Sequence, residues 1–203
     1  FEKIRSLEGE LETRLAEQRR SYGYKLEQGR LFITREARER QAALKVSLRR
    51  YLIDSGVLTI LTAPFIYAVA IPVLALDVVA SLFQAVCFRV YGVSQVKRRD
   101  YVVFDRHRLP YLNAIQKVNC FYCSYANGVI AYVHEIASRT EQYWCPIKQA
   151  RRVIGAHARY AGFSEYGDAE HYRERLRALR EDLKEETASE DASGDQTDNA
   201  SSE

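Results

Sequence analysis

Residues 56–93 read GVLTILTAPFIYAVAIPVLALDVVASLFQAVCFRVYGV, and Asp77 is the one charged side chain among the 34 positions between Asp54 and Arg89. The helices of a soluble core keep a polar stripe toward water, which this run lacks. A bilayer core of roughly 30 Å takes about 20 helical residues, whereas 34 would reach about 50 Å at ~1.5 Å per residue. One straight crossing is therefore too long. Pro64 and Pro72 each remove a helical N–H and disfavour helical geometry just before them, which marks places for the chain to turn.

The flanks agree with a turn. Lys45, Arg49 and Arg50 precede the run, and Arg89, Lys97, Arg98 and Arg99 close it. Positive residues beside a membrane segment stay cytoplasmic, so both ends belong on one side. The expectation is a transmembrane or re-entrant hairpin over residues 55–93, with two short arms that either cross or dip in as a monotopic wedge. Asp77 falls in the second arm, where a carboxylate is costly unless it is neutral, paired or close to the surface.

Outside this run the chain is strongly charged. The formal net charge is +3 over 203 residues, enough for one modest domain with appendages. Residues 185–203, EETASEDASGDQTDNASSE, hold seven acidic side chains and no basic one. Such a run buries too little apolar area to offset its ordering entropy, and predicts a disordered acidic tail. Near the start, Ile4, Leu7, Leu11 and Leu15 recur at three- and four-residue steps, which predicts an amphipathic helix over residues 1–20. Tyr22, Gly23, Tyr24 and Gly29 interrupt it, and Thr34 is placed to cap a second helical run leading into the apolar segment.

After the apolar run, residues 101–104 (YVVF) suggest a short extended piece. Ile115, Val118, Tyr122, Tyr125, Val129, Tyr132 and Ile136 mark one packing face of a helix over residues 109–136. A second helix is expected from about residue 139 to 157, carrying Trp144 and Cys145. A last amphipathic helix over residues 169–184 follows Asp168 as its cap. The fold class is all-α: a membrane helical hairpin plus a small cysteine-bearing cytoplasmic helical domain. The division is residues 1–54 charged amphipathic helices, 55–93 hairpin, 94–184 helical domain and 185–203 tail.

Chemistry concentrates at residues 119–128, NCFYCSYANG, where Cys120 and Cys123 form a C-x2-C pair; Cys145 and His157 follow. Thiolates and imidazoles two to four residues apart converge on tetrahedral zinc, so Cys120, Cys123, Cys145 and His157 form a candidate structural zinc site, with His134 or His107 as other fourth ligands. Three cysteines also suit an iron–sulfur cluster. A reactive dithiol is a further reading, although such pairs usually open a helix and this one sits mid-helix. Plain buried thiols complete the set. Arg151, Arg152 and Arg159 make a basic patch that reads anionic head groups more economically than nucleic acid. There is no Gly-rich phosphate loop, nucleophile elbow or metalloprotease motif.

The runs DYVVFDRHRLPYLNAIQKVNCFYCSYANG, TEQYWCPIK and EYGDAEHYRERL resemble an uncharacterised family of short proteobacterial membrane-associated proteins. The resemblance implies a bacterial inner membrane, with the helical domain on the cytoplasmic side, and no particular activity. The expected function is a membrane-anchored metal-binding adaptor or accessory subunit, held on the bilayer and its anionic head groups, with a protein partner or a second copy. The rival is a membrane-associated redox protein or enzyme with an iron–sulfur or dithiol centre.

Overall fold

The computed structural model describes residues 2–27 and 30–199, with side chains for residues 9–24 and 32–189. The chain is mostly helical, as its periodicities predict. It divides into two compact units. The first comprises residues 1–63 and 104–124, the second residues 64–103 and 125–203.

In the first unit, α1 (Glu2–Ser21) ends at Gly23, whose φ of 71° suits glycine. A Cβ there would also collide with the side chain of Ala37. Strands β1 (Tyr24–Glu27) and β2 (Arg30–Ile33) then pair antiparallel, so the interruption expected after α1 contains two paired strands. Thr34 caps α2 (Arg35–Ala43), its Oγ1 accepting from the Ala37 N–H at 3.3 Å. Ser47 caps α3 (Leu48–Ser55) in the same way. Such caps are each worth about 1 kcal/mol.

From Val57 the chain enters α4 (Val57–Ala68) and α5 (Ala70–Phe83), passes through a π-helical turn at Gln84–Phe88, and ends in α6 (Arg89–Tyr91). Together these form one helix of 35 residues, Val57–Tyr91. Pro64 lies inside α4. Val69, between α4 and α5, keeps right-handed helical geometry (φ −64°, ψ −19°), and its carbonyl accepts from the Val73 N–H at 3.3 Å. The prolines loosen the helix without reversing it, so the two-armed hairpin expected over residues 55–93 has no turn.

Beyond Gly92 the chain runs back along this helix through α7 (Arg98–Tyr101), which takes in only the first residue of the extended piece expected over residues 101–104; Val102 after it is extended. Gln84 grips the returning chain like a strand partner: its Nε2 donates to the Val96 carbonyl at 3.3 Å, and its Oε1 accepts from the Val96 N–H at 3.0 Å. Next comes α8 (Ala114–Trp144), opened by a reciprocal cap in which Asn113 Oδ1 accepts from the Gln116 N–H and Gln116 Oε1 from the Asn113 N–H, both at 2.9 Å. It continues without a break through the position where a second helix was expected to start. Residues 145–157 are irregular instead, tied by an isolated bridge between Ile147 and Ser164.

The second unit's core gathers Ala80, Phe88, Val93, Val96, Tyr132, Ile136 and Leu183. Phe88, Tyr132 and Leu183 are each 1% exposed, and burying such a side chain contributes about 1.5–3 kcal/mol. Leu183 comes from α9 (Tyr172–Asn199), which starts later than expected and runs on into the acidic stretch. Thr187 Oγ1 accepts from the Ser94 N–H at 2.9 Å. The first acidic residues thus belong to the folded unit rather than to a disordered tail; residues 200–203 lie outside the described ones.

Candidate functional site

Cys120 and Cys123 lie on the part of α8 that belongs to the first unit, while Cys145 and His157 belong to the second. None of the four cysteines is in a disulfide; Cys123 and Cys145 are exposed, Cys87 and Cys120 half-buried. His157 is engaged otherwise: its Nε2 shares a hydrogen bond with Glu141 Oε2 at 2.9 Å, and its ring centroid lies 5.9 Å from that of His134. Among the described residues, no group of three or more His, Cys, Asp or Glu side chains is placed to hold a metal. The set of Cys120, Cys123, Cys145 and His157 is not assembled into a centre there.

Cys145 is exposed, and an exposed thiol outside any metal group should be dispensable. Cys145→Ser is expected to shift unfolding free energy by no more than about 0.5 kcal/mol. Thermal unfolding with and without a chelator checks this; a chelator-sensitive loss of several kcal/mol would restore the metal reading.

The densest chemistry is an ionic lattice in the second unit. Glu135 Oε1 accepts from Arg139 Nε at 2.9 Å, one helical turn on, and from Arg159 Nη2 at 3.0 Å. Arg159 also forks onto both carboxylate oxygens of Glu186 at 2.6 Å. Arg139, 6% exposed, donates through Nη1 to the Ser94 carbonyl at 3.0 Å and Oγ at 2.9 Å. Gln142 joins in, accepting from Arg159 Nη1 at 3.1 Å and donating to the Leu179 carbonyl at 2.8 Å. The lattice ties α8, α9, the segment around Arg159 and the returning chain at Ser94 into one block. Arg159 is thus not part of an open basic patch with Arg151 and Arg152, which remain exposed.

Burial pushes the Glu135 carboxyl up, but the Arg139 and Arg159 guanidiniums outweigh it and hold the group below the ordinary glutamate value. The folded state keeps Glu135 ionised where the unfolded chain takes up a proton. Its contribution is therefore fully present above the unfolded value of about 4.3 and is lost as pH falls through the lower folded value. Glu135→Gln should flatten this acid limb of stability, read from urea midpoints measured across pH. An unchanged limb would show that other carboxylates set it.

A second cluster surrounds Asp77, the lone charge of the apolar helix. Arg98 Nε donates to Asp77 Oδ1 at 3.0 Å and Oδ2 at 3.2 Å, Arg98 Nη2 donates to Oδ2 at 2.8 Å, and Tyr125 OH donates to Oδ2 at 2.9 Å. Of the options open to it in the sequence, Asp77 is paired. The Asp77 carboxylate in turn holds the Arg98 guanidinium above its usual value. Planar, two-pronged pairing of this kind fixes orientation as well as charge.

In both clusters the carboxylates are taken up by guanidinium and hydroxyl donors, an arrangement that braces the packed segments. A cavity of about 410 Å³ bordered by Gln95, Lys97, Asp100 and Tyr101 adjoins the lattice, but Arg139, its buried cation, is already committed to Glu135 and Ser94. Only the Glu135–Arg139 spacing announced any of this in the sequence. Arg159 and Glu186 sit 24 and 51 residues from Glu135 in the numbering, and no local pattern links them.

The chain matches none of the protein families, curated proteins or solved structures with which it was compared.

Proposed function

We propose that this chain is a membrane-anchored accessory or adaptor protein, attached through the helix Val57–Tyr91 and presenting its ion-braced second unit to a protein partner. The observation that carries the reading is exposure. Only 17% of the helix's most apolar stretch is buried, whereas the core helix of a soluble protein is mostly buried. α4 has no buried residue at all, and Leu58, Leu61, Phe65 and Ile71 are each more than 60% exposed. A continuous apolar surface of this size on a monomer calls for cover, and lipid supplies it along the whole length. Arg49, Arg50, Lys97 and Arg99, all exposed at its flanks, favour an anionic bilayer surface such as the cytoplasmic face of a bacterial inner membrane.

The anchor in this reading is the helix itself; the prolines supply no hairpin for it. Zinc and iron–sulfur roles have no three-ligand group among the described residues to rest on, so the adaptor reading stands without a metal. Flotation on vesicles containing anionic lipid is the test. The protein should float with the vesicles, resist a high-pH carbonate wash and come off only with detergent. A monodisperse protein that stays soluble without detergent and does not float would sink the proposal.

A further inference from the structure

We infer that the apolar helix does not cross the bilayer: the chain is monotopic, with Val57–Tyr91 lying in the plane of a single leaflet. The inference rests on the membrane reading above and adds the orientation of the anchor.

Three observations lead to it. The first is where the chain goes before and after the helix. The first compact unit contains residues 1–63 and then residues 104–124, and within that unit one cavity of about 200 Å³ is lined by Tyr24, Ile33 and Gln41 from before the helix and Asp105, Arg106 and Leu109 from after it. The two ends must therefore reach the same side of the membrane. A helix that crosses once, without reversing, leaves its ends on opposite sides.

The second observation is that nothing else can make the return crossing. The connection is residues 92–103, GVSQVKRRDYVV, with Lys97, Arg98, Arg99 and Asp100 in succession and all four exposed. A span needs about 20 mainly apolar helical residues, and backbone outside helices is not tolerated against lipid. The helix itself is also unsuited to one crossing, since 35 residues reach about 52 Å against a core of roughly 30 Å.

The third observation is that the helix is one-sided in its burial. From Val73 on, the buried residues are Val73, Asp77, Ala80, Gln84 and Phe88, at steps of three and four. They face the returning chain and α8, as the Asp77–Arg98, Asp77–Tyr125 and Gln84–Val96 hydrogen bonds show. The opposite face carries Val79, Leu82, Val86 and Val90, again at steps of three and four and each more than 60% exposed. A helix crossing the bilayer has no need of a protein-covered face along residues 73–88 beside a charged segment. A helix embedded sideways does: acyl chains below, protein and the basic segment above, with the apolar face sunk about 5–10 Å into the boundary between head groups and acyl chains. Asp77 then stays out of the hydrocarbon, because it points up at Arg98.

Native lysines test this without any substitution. Lys45 precedes the helix and Lys97 follows it, and both are exposed. On sealed vesicles of known orientation, a membrane-impermeant acylating reagent, mapped by mass spectrometry, should modify both lysines from the same face and neither from the other. Modification from opposite faces would overturn the in-plane helix while leaving the membrane anchor intact. Failure to stay with the vesicles at all, including recovery as a soluble dimer, would overturn the anchor and the inference with it. As a second measurement, spin labels at Phe65→Cys and Val86→Cys, with the native cysteines replaced by serine, should sit at similar shallow depths. A label near the bilayer centre, about 15 Å from the core's edge, would rule out the in-plane arrangement.

Discussion

Gly128→Val is expected to destabilise the second unit by about 3 kcal/mol or more, the range of an overpacked contact with no room to relax. A Cβ at Gly128 would lie 2.7 Å from the Tyr101 carbonyl oxygen and 2.9 Å from Val102 Cα. Both are backbone atoms, so no side chain can swing aside. Either α8 or the segment holding Tyr101 must move, and Val102, buried at 7% exposure, moves with it. Gly128→Ala separates the causes, since alanine gains about 1 kcal/mol in a helix interior relative to glycine. The contact is expected to outweigh that gain, leaving a net loss of about 1–2 kcal/mol. Trp144, the chain's one tryptophan, ends α8 beside Tyr91 and Tyr143 and reports unfolding of this unit by fluorescence. A Gly128→Val protein as stable as the parent would show that α8 and the returning chain do not pack this closely.

Arg139→Ala should cost about 3–5 kcal/mol, the usual consequence of removing one partner from a buried ionic group. Its guanidinium bonds Glu135 and both oxygens offered by Ser94. Truncation would leave Glu135 with Arg159 as its one cationic partner beside the Ser138 hydroxyl, and the Ser94 carbonyl without its charged donor. Arg139→Lys is expected to recover less than half of the loss, because an ammonium cannot reach Glu135 and Ser94 at once in the fork geometry. Arg139→Ala with Glu135→Ala should cost less than the two separate losses combined, which marks the pair as coupled. Urea unfolding in detergent, followed at Trp144, measures all three. Additive losses would show that the lattice is a crowd of independent contacts rather than one brace.

What was legible in the sequence follows from range. The apolar segment, the helices around Leu11 and Tyr132, the Thr34 cap and the positive flanks are local patterns, and each could be read over a few residues. The hairpin misled because proline is a local signal too: Pro64 and Pro72 permit a turn, but whether the chain takes it depends on distant partners such as Arg98 and Tyr125, which hold Asp77 from outside the segment. The acidic stretch misled for the same reason. Composition alone makes Glu186 look solvated, whereas Arg159 makes it half of a forked ion pair. The C-x2-C spacing between Cys120 and Cys123 is local and suggestive, but a metal centre needs its other ligands brought in by the fold. Among the described residues His157 is taken by Glu141 instead.

The interrupted first unit has a consequence for how the protein is made. Tyr24, Ile33 and Gln41 share their cavity with Asp105, Arg106 and Leu109, residues added to the growing chain some seventy positions later. At synthesis rates of about 5–20 residues per second, that gap lasts several seconds. During it the N-terminal strand pair waits half-covered, while the most water-averse part of the chain has already emerged. In the membrane-anchored reading proposed above, attachment to the bilayer has time to precede closure of this unit. A nascent chain kept away from membranes would carry two unsatisfied surfaces at once, and its fate would be decided by aggregation before Leu109 arrives.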